Sequence, residues 1–559
     1  MISRSGRWEA GSPVVDVVAC SVLEAGGDVA FGVVGSGNFT VTEAFVERGG
    51  RFVAARHEGG AACMADAHAR VTGRLGVCSV HQGPGLTNAM TGIAEAAKSR
   101  TPLIVLAGDT PAAALHSNFR IDQAAMVDAV GATADRVFGA ETAGQDVRRA
   151  LRRAVVERRT VVLMLPLDVQ GESCAWSDGS VVRPGEALAP APAPASVAAL
   201  ADLLQGARRV VLLAGRGAVL ARAGAALEGL AECTGALLAT SAMGHGLFAG
   251  HPWNLGISGG FASPLAAELL PQADAIVAFG AQLTRWTTRQ GGLIGAGARV
   301  AQVDVELEAL GANAPVEVAV LGDARATAEA VLAELESRGH RARGWRDAAL
   351  GAAIASRRWR DEPFDDASDS EHVDPRALTI ALDELLPAER TVVVDSGHFM
   401  GFPPMYLRVP DAAGFVFTQA FQSIGLGLAN AIGAAIARPD RLAVAALGDG
   451  GALMSMQELE TAVRLRLPLL AVIYNDAAYG AEVHHFGPHD HDLGIVRFPD
   501  TDIAALARGA GAEAITARAV SDLAPIVEWL ARRERPLLVD AKVNPDVRAE
   551  WLEEAFRSH

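Results

Sequence analysis

Short apolar runs alternate with helix-forming segments along almost the whole chain, and this alternation limits the fold more than any other feature. Residues 28–34, 76–82 and 102–108 are typical of buried strands, and residues 58–74 of a helix. We expect residues 83–88 (GPGLTN) to form a turn before the next helix. Because strands joined by helices are usually parallel and covered on both faces, the sequence predicts an α/β protein with doubly wound parallel sheets.

Two stretches of different composition divide the chain into three α/β segments. Residues 183–196 are rich in Pro and Ala, and residues 338–375 are polar; both are typical of connections between domains. We therefore predict three domains, at residues 1–182, 197–337 and 372–559. The first and third domains are candidates for a shared layout, which one sequence alone does not establish.

Charge and composition exclude several classes of protein. The chain has 49 Lys and Arg against 65 Asp and Glu, a formal net charge of −16, and 50% of its residues are hydrophobic. This is the composition of a globular protein that binds neither nucleic acid nor an anionic membrane through its net charge. Residues 418–437 carry no formal charge over a length that could span a bilayer. Because Gln419, Gln422, Ser423 and Asn430 interrupt them, we favour a buried helix with its preceding loop.

The five cysteines form no CxxC pair, which argues against a disulfide framework or a zinc ribbon and suits a reducing compartment. The first residues include Arg4, Arg7 and Glu9 without a clear apolar core, so we expect no signal peptide. We expect a cytoplasmic protein.

Acidic residues follow two successive strands of the third segment. Gly448, Asp449, Gly450 and Gly451 end one apolar strand, and Asp476 follows the next. The carboxyl ends of parallel strands lie at one edge of a sheet, where such sheets bind ligands. Two carboxylates beside backbone N–H groups that can approach phosphate would hold Mg²⁺ and a diphosphate. Alone, each motif is more typical of an ordinary turn; their spacing favours the metal site.

Residues 448–480 resemble the thiamin diphosphate signature, Gly-Asp-Gly followed by an Asn-Asn or Asn-Asp pair. The resemblance implies that Asp449, Asp476 and the backbone carbonyl of Ala478 hold Mg²⁺, which holds the diphosphate of thiamin diphosphate. Asp476 stands where Asn is commoner, which keeps an oxygen ligand and adds a negative charge. The cofactor-binding residues implied in this region are Gly448, Asp449, Gly450, Gly451, Asp476, Ala478, Tyr479 and Gly480.

Glu58 begins the helix of residues 58–74, where the helix dipole alone favours an acid. Its surroundings, RHEGGAACMADAHARVTG, resemble the HE-x-GAA-x-MA-x-GYAR segment of the acetolactate synthase and decarboxylase superfamily. There the glutamate hydrogen-bonds N1′ of the cofactor's pyrimidine and favours the imino tautomer, whose nitrogen removes the C2 proton of the thiazolium. Without the resemblance, an acid that only stabilises the helix is the favoured interpretation.

Two further segments resemble cofactor-contacting loops of this superfamily. Residues 422–427 (QSIGLG) match the segment in which an apolar residue lies beneath the bent cofactor. This match implies that Ile424 is that residue and that the backbone of Gln422 contacts the aminopyrimidine; plain core packing is the alternative. Gly397 and His398 belong to a less specific match to a diphosphate-side loop. The matches follow the order pyrimidine-binding, central and diphosphate-binding domain.

The candidates on the substrate side come from both ends of the chain. Ser36 and His81 fall where benzoylformate decarboxylase carries a serine and a histidine, and Glu482 where pyruvate decarboxylase has an acid. A strand-end histidine is the alternative for His81. The candidate catalytic residues are Glu58, His81, Glu482 and Ser36, and the candidate substrate contacts are Gln82, His484 and His485. For the last two, a polar loop is the alternative.

The resemblance implies an enzyme that cleaves or forms a C–C bond beside the carbonyl of a 2-oxo acid, as a decarboxylase or an acetolactate synthase-like carboligase. An aldehyde or a second 2-oxo acid is the acceptor in the latter case. Residues 131–137 (GATADRV) lack the basic turn of many acetolactate synthases, and Thr287 stands in place of the second histidine of benzoylformate decarboxylase. The resemblance also implies a site between two chains, hence at least a homodimer, and we expect a homotetramer.

Two alternatives remain open. The first is an oxidoreductase that binds FAD or a nucleotide in the central segment through residues 215–217 (GRG), which lack the third glycine of a full dinucleotide motif. We disfavour a nucleotide on that ground, and FAD because a lone pair of glycines is more typical of a packed turn. The second is a non-catalytic relative, against which the retained Glu58, Asp449 and Asp476 argue.

Overall fold

The computed structural model describes residues 11–174, 189–342 and 344–556. It contains three six-stranded sheets in which neighbouring strands are parallel. Successive residues of a strand enter different hydrophobic clusters: Val77 packs on one face of the first sheet and Cys78 on the other. The central and third sheets alternate in the same way. Three doubly wound α/β domains are therefore confirmed.

The first domain has the strand order β2-β1-β3-β4-β6-β5. Its strands are β1 Val29–Gly32, β2 Arg51–Ala54, β3 Gly76–Val80, β4 Leu103–Asp109, β5 Thr133–Arg136 and β6 Thr160–Pro166. Its helices are α1 Val14–Glu24, α2 Phe39–Glu47, α3 Glu58–Thr72, α4 Pro84–Lys98, α5 Gln123–Ala129, α6 Ala143–Val155 and α7 Leu167–Gln170.

The central domain has the strand order β12-β11-β10-β7-β8-β9, in which the chain reverses direction across the sheet between β7 and β10. Its strands are β7 Val210–Ala214, β8 Leu237–Thr240, β9 Asn254–Ile257, β10 Ala275–Phe279, β11 Arg299–Asp304 and β12 Val318–Leu321. Its helices are α8 Pro194–Gly206, α9 Arg216–Leu220, α10 Gly224–Thr234, α11 Pro264–Leu269, α12 Ala324–Ser337 and α13 Ala348–Ser356.

The third domain has the order β14-β13-β15-β16-β18-β17, which repeats that of the first domain strand for strand. Its strands are β13 Arg390–Val394, β14 Phe415–Phe417, β15 Leu442–Gly448, β16 Leu469–Asn475, β17 Glu513–Ala517 and β18 Leu537–Lys542. Its helices are α14 Pro375–Leu385, α15 Phe402–Tyr406, α16 Gly427–Ala437, α17 Asp449–Ser455, α18 Gln457–Arg464, α19 Gly480–Phe486, α20 Ile503–Gly509, α21 Pro525–Arg532 and α22 Trp551–Phe556.

The first and third domains pack together through α3 and α16, which share one hydrophobic cluster. Gly433 of α16 lies so close to α3 that a Cβ there would overlap the backbone of Met64. The uncharged residues 418–437 therefore form a loop and a helix buried between domains, as predicted. In the described parts of the chain, no helix is both long and apolar enough to span a membrane.

The predicted turn at residues 83–88 is wrong. Helix α4 already begins at Pro84, directly after Gly83, whose φ is 62°. Proline is well suited to the first turn of a helix because it lacks an N–H that would be unpaired there. The Pro-Gly pair that suggests a turn in the sequence thus begins a helix.

The two predicted connections contain regular structure. Residues 183–188 lie outside the described residues, and α8 begins at Pro194, inside the Pro/Ala-rich stretch. Helix α13 lies within the polar stretch at residues 338–375, and its Ile354 packs on the central sheet. The domain limits drawn from the sequence remain predictions.

Candidate active site

A cavity of about 470 Å³ opens at the carboxyl edge of the third sheet. The loops that follow β13, β15 and β16 meet there, next to the point where strand order reverses, which is where open α/β sheets bind ligands. Its volume suits a cofactor-sized molecule. The predicted site residues that line it are Gly397, His398, Gln422, Ile424, Gly448, Asp449, Gly450, Gly451, Asp476, Ala478, Tyr479, Gly480 and Glu482.

Asp449 and Asp476 both line this cavity, Asp449 buried and Asp476 half-buried, and the charge of one acts on the other. Asp449 begins α17, and Asp476 follows the last residue of β16. Burial raises the pKa of Asp449 to about 6. Burial, and then the charge of Asp449, raise the pKa of Asp476 to about 8. Two carboxyl groups that repel each other at one cavity resist ionisation together, and a divalent cation between them would remove that cost.

The chain turns sharply after Asp476. Ala477 has a left-handed φ of 51°, and Ala478 donates its N–H to Asp476 Oδ1 (3.2 Å). Tyr479 N–H and Phe498 N–H make the backbone bonds that pair this turn with residues 496–498. Ala478 itself lines the cavity. Among the residues described, no group of three or more His, Cys, Asp or Glu could hold a metal. A cation here would therefore be bound by two carboxylates, a carbonyl and oxygens from solvent or ligand, as Mg²⁺ commonly is.

Three glycines of the site pack so closely against neighbouring side chains that no Cβ would fit. A Cβ on Gly480 would overlap the carboxylate of Asp476. A Cβ on Gly450 would lie 2.7 Å from the ring of Tyr479, and one on Gly451 would lie 2.6 Å from Asp395 Oδ2. The backbone therefore approaches the cavity closely, as a site for a phosphate group requires.

Asp395 organises the loops on one side of the cavity, a role that sequence reasoning missed. It is fully buried, and it accepts backbone N–H bonds from Ser396 (2.9 Å), Gly425 (2.9 Å) and Leu426 (3.2 Å). Burial raises the pKa of Asp395 to about 6, against the effect of these bonds. It thereby joins the loop after β13 to the loop that carries Ile424. The two loops are distant in sequence, so no spacing signals the contact.

Residues 422 and 424 lie where an apolar platform is predicted. Gln422 has a left-handed φ of 63° and is exposed, whereas Ile424 is half-buried. Both line the cavity. The turn at Gln422 lets the chain pass along the cavity before α16 begins at Gly427.

His398 and His484 stack with their ring centroids 4.3 Å apart. His398 Nε2 accepts a hydrogen bond from the Ala549 N–H (2.8 Å), so the neutral ring carries its proton on Nδ1. Burial, with His484 nearby, lowers the pKa of His398 to about 3, so that it stays a neutral donor. His484 therefore supports His398 from outside the cavity lining. His485 is also outside that lining and contacts Phe486.

The predicted residues of the first domain form a second group at the carboxyl edge of the first sheet. Ser36 Oγ lies 3.3 Å from His81 Nε2, and Glu58 accepts a hydrogen bond from Asn88 Nδ2 (3.1 Å). Of these four residues, none lines the cavity of the third domain in the single chain described here. The candidate site thus consists of two halves, one on each outer domain.

Gln82 follows His81, and its side chain turns into the first domain and does not line the cavity of the third. It is 4% exposed, and its Oε1 packs against the backbone of Gly37 and is 2.7 Å from where a Cβ on Gly108 would stand. The side chain fills the interior of the first domain. Its place after a strand suggested a substrate contact, but the sequence does not show into which side of the sheet it turns.

In its described residues, the central domain has no open crevice at the place where a flavin dinucleotide is expected. Its reversal point lies between β7 and β10, where dinucleotides bind in such sheets. There Gly217 N–H donates to the carbonyl of Gly280 (2.9 Å), and a Cβ on Gly217 would lie 2.6 Å from Gly280 Cα. Arg216 extends from the same turn to the carbonyl of Ser99 in the first domain. The two loops are in backbone contact, so these residues do not fit a dinucleotide between them.

Three family models match the chain in the order of its domains. The thiamine pyrophosphate enzyme N-terminal TPP-binding domain matches residues 14–129, the central domain residues 197–331, and the C-terminal TPP-binding domain residues 395–541. The matches at the two outer domains include both halves of the candidate site.

Curated proteins with different activities are similar over most of the chain. A sulfoacetaldehyde acetyltransferase of Alcaligenes xylosoxydans xylosoxydans is 29% identical, over 89% of this chain and 87% of its own. A probable 2-ketoarginine decarboxylase of Pseudomonas aeruginosa is 32% identical, over 81% and 80%. An acetolactate synthase large subunit of Parasynechococcus marenigrum is 30% identical, over 84% and 78%. With three matching domains and this degree of similarity, the chain belongs to the thiamine pyrophosphate enzyme family.

Proposed function

We propose that this protein uses thiamin diphosphate and Mg²⁺ to cleave a C–C bond beside the carbonyl of a 2-oxo acid, at a site formed by two copies of the chain. The observation that carries the proposal is that the carboxylic acids Asp449 and Asp476 line one cavity at the carboxyl edge of the third sheet, beside Gly448, Gly450 and Gly451. Such a pair favours a divalent cation, and a cation at this edge is in position to bind a diphosphate.

The residues of the third domain bind the cofactor in this proposal. Asp449, Asp476 and the Ala478 carbonyl hold the cation, and the N–H groups of the loop at Gly450 and the Nδ1–H of His398 donate to the diphosphate. Ile424 supports the cofactor from one side of the cavity. When bound, thiamin diphosphate supplies an electron sink for the carbanion that remains after CO₂ leaves a 2-oxo acid.

Glu58 activates the cofactor from the other half of the site. It lines no part of its own chain's cavity, so we propose that one copy of the chain supplies Glu58 and the other Asp449. Its carboxyl group then hydrogen-bonds the cofactor's pyrimidine nitrogen, and Asn88 holds that group in place (3.1 Å). The protein is at least a homodimer in this account, and a homotetramer is the proposed assembly.

Ser36 and His81 handle protons on the substrate. His81 Nδ1 lies 2.7 Å from the carbonyl oxygen of Gln82, which only accepts, so the neutral ring carries its proton on Nδ1. Nε2 is then an acceptor, and the Ser36 hydroxyl donates to it (3.3 Å). We infer that His81 Nε2 takes up and returns a proton at the reacting carbonyl, with Glu482 as the acid–base group of the opposite half.

A product assay tests the proposal. The cofactor-loaded protein is incubated with a panel of 2-oxo acids, with and without aldehydes, and the products are identified by mass spectrometry. The proposal predicts CO₂ release from at least one 2-oxo acid. An aldehyde product then indicates a decarboxylase, and a hydroxyketone or 2-hydroxy-3-oxo acid product a carboligase. Tight cofactor binding without turnover on the panel would instead indicate a non-catalytic relative.

A further inference from the structure

A buried glutamate of the third domain holds the helix that begins with Glu58. Glu458, near the start of α18, is 0% exposed. Its Oε1 accepts hydrogen bonds from the backbone N–H groups of His57 (2.9 Å) and Arg56 (3.1 Å). Its Oε2 accepts a bond from Thr461 Oγ1 (2.8 Å). The carboxylate thus crosses the domain boundary to the two residues that precede Glu58.

These bonds lie at the start of α3. His57 is the N-cap of α3, and its Nδ1 accepts the Gly59 N–H (3.0 Å). A carboxylate at a helix N-terminus is stabilised by the unpaired N–H groups and by the helix dipole. A Cβ on Gly60 would lie 2.5 Å from Glu458 Oε1, so this carboxylate lies directly against the first turn of the helix. The backbone of Glu58 is therefore fixed from the N-terminal side by another domain.

Glu458 lies close in the chain to Asp449, the proposed metal ligand of the third domain. Asp449 begins α17, which runs to Ser455, and α18 follows from Gln457. Glu458 therefore lies one short helix after the proposed metal ligand. At the far end of α3, Arg70 Nη1 donates to the carbonyl of Phe417 (3.0 Å), the last residue of β14 before the loop that leads to Ile424. Each end of α3 is thus held by the third domain of its own chain.

We propose that Glu458 is a positioning residue: it holds the start of α3 so that Glu58 is presented to the cofactor of the neighbouring copy, and it connects that glutamate to the metal-binding helix of its own chain. This inference rests on the proposed function. Glu58 and Asp449 of one chain serve different sites in that proposal, so Glu458 acts on the site that contains its own chain's Glu58.

The first test needs no activity. Amide hydrogen exchange of the peptide that contains residues 56–60 is measured in the cofactor-free protein. Glu458→Gln is expected to speed exchange about tenfold there, because the two N–H groups then donate to a neutral amide oxygen instead of a charged carboxylate. The matched control is Glu460→Gln, whose carboxylate binds the Arg56 side chain (2.5 Å) rather than the backbone. Unchanged exchange in Glu458→Gln would overturn the inference.

The second test separates the two halves of the site in mixed dimers, isolated with two affinity tags. One copy carries Glu58→Gln and the other Asp449→Ala, so that one site has both lesions and the other has none. Regained activity supports the shared site. No regained activity refutes the shared site, and with it the positioning role, whatever the result of the exchange measurement.

Glu458→Gln is then added to either copy. In the copy that carries Asp449→Ala, it should lower kcat of the intact site about 10- to 100-fold with unchanged cofactor affinity, as loss of a supporting residue typically does. In the copy that carries Glu58→Gln, it should leave that site unaffected. The reverse pattern would show that Glu458 supports its own chain's metal helix and would overturn the inference. Glu460→Gln in either copy serves as the control.

Discussion

Replacing Asp476 with Asn removes a negative charge but keeps a side-chain oxygen that can bind a cation. The variant therefore shows how much stability the metal-free protein loses when Asp476 ionises. In the metal-free protein, burial and the nearby charge of Asp449 raise the pKa of Asp476 from 3.8 to about 8. The folded protein thus holds this proton more tightly than the unfolded chain does. The resulting stability is fully present below about pH 4 and is lost as the pH rises through about 8.

The magnitude follows from the pKa shift. At about 1.4 kcal/mol per pKa unit, ionising Asp476 costs at most roughly 6 kcal/mol. Asp476→Asn avoids this cost, so we expect the metal-free variant to be more stable than the wild type above pH 8 by several kcal/mol. This difference in the free energy of unfolding should become smaller as the pH is lowered. Urea unfolding in excess chelator, followed by circular dichroism at several pH values, measures it.

Addition of the cation and the cofactor should make the wild type the more stable of the two proteins. Mg²⁺ with thiamin diphosphate should stabilise the wild type more than Asp476→Asn, because only in the wild type does the cation also relieve the repulsion between two carboxylates. Asp490→Asn is the control, since Asp490 is exposed and its φ of 57° suits Asn equally well. If the metal-free wild type matches Asp476→Asn in stability above pH 8, the electrostatic account of this site is refuted.

Three further changes test other parts of the account. Glu58→Gln should lower turnover about 10²- to 10⁴-fold and retain the affinity for the cofactor. Glu43→Gln, on the exposed face of α2, should leave turnover unchanged. Full turnover in Glu58→Gln would show that Glu58 does not activate the cofactor. Gly433→Ala should lower the free energy of unfolding in urea by about 1–3 kcal/mol, because its Cβ would overlap the Met64 backbone. Gly509→Ala, which has open space around it, should leave the stability unchanged. Equal stabilities of the two variants would contradict the packing of α3 on α16. Protein incubated with FAD and desalted should show no flavin absorbance, and a stoichiometric flavin would contradict the closed loops at Gly217 and Gly280.

The fold was predictable because its strands are buried on both faces. Parallel strands such as Leu103–Asp109 and Leu469–Asn475 are continuous apolar runs, and each is followed by glycines or polar residues at the edge that binds ligands. The acids Asp449 and Asp476 were found for the same reason: their position after a strand fixes the edge at which they lie. The start of α4 was missed because Gly-Pro-Gly is compatible with both a turn and a helix N-terminus.

The residues that sequence reasoning missed act through contacts between distant segments. Asp395 binds the backbone at Gly425, and Glu458 binds the backbone at His57 in another domain. Nothing near either acid in the sequence indicates its partner. For Gln82, the sequence predicts the position after β3 but not the direction of the side chain. Its burial against Gly37 depends on the packing of the folded domain.

A crystal structure of the protein with thiamin diphosphate and Mg²⁺ tests the central claim most directly. We predict a cation bound by Asp449, Asp476 and the Ala478 carbonyl at about 2.1 Å. We also predict that the carboxyl group of Glu58 from a second copy of the chain lies within hydrogen-bond distance of the cofactor's pyrimidine ring. A cation bound elsewhere, or a Glu58 that in every pair of chains stays far from the cofactor, would contradict the account.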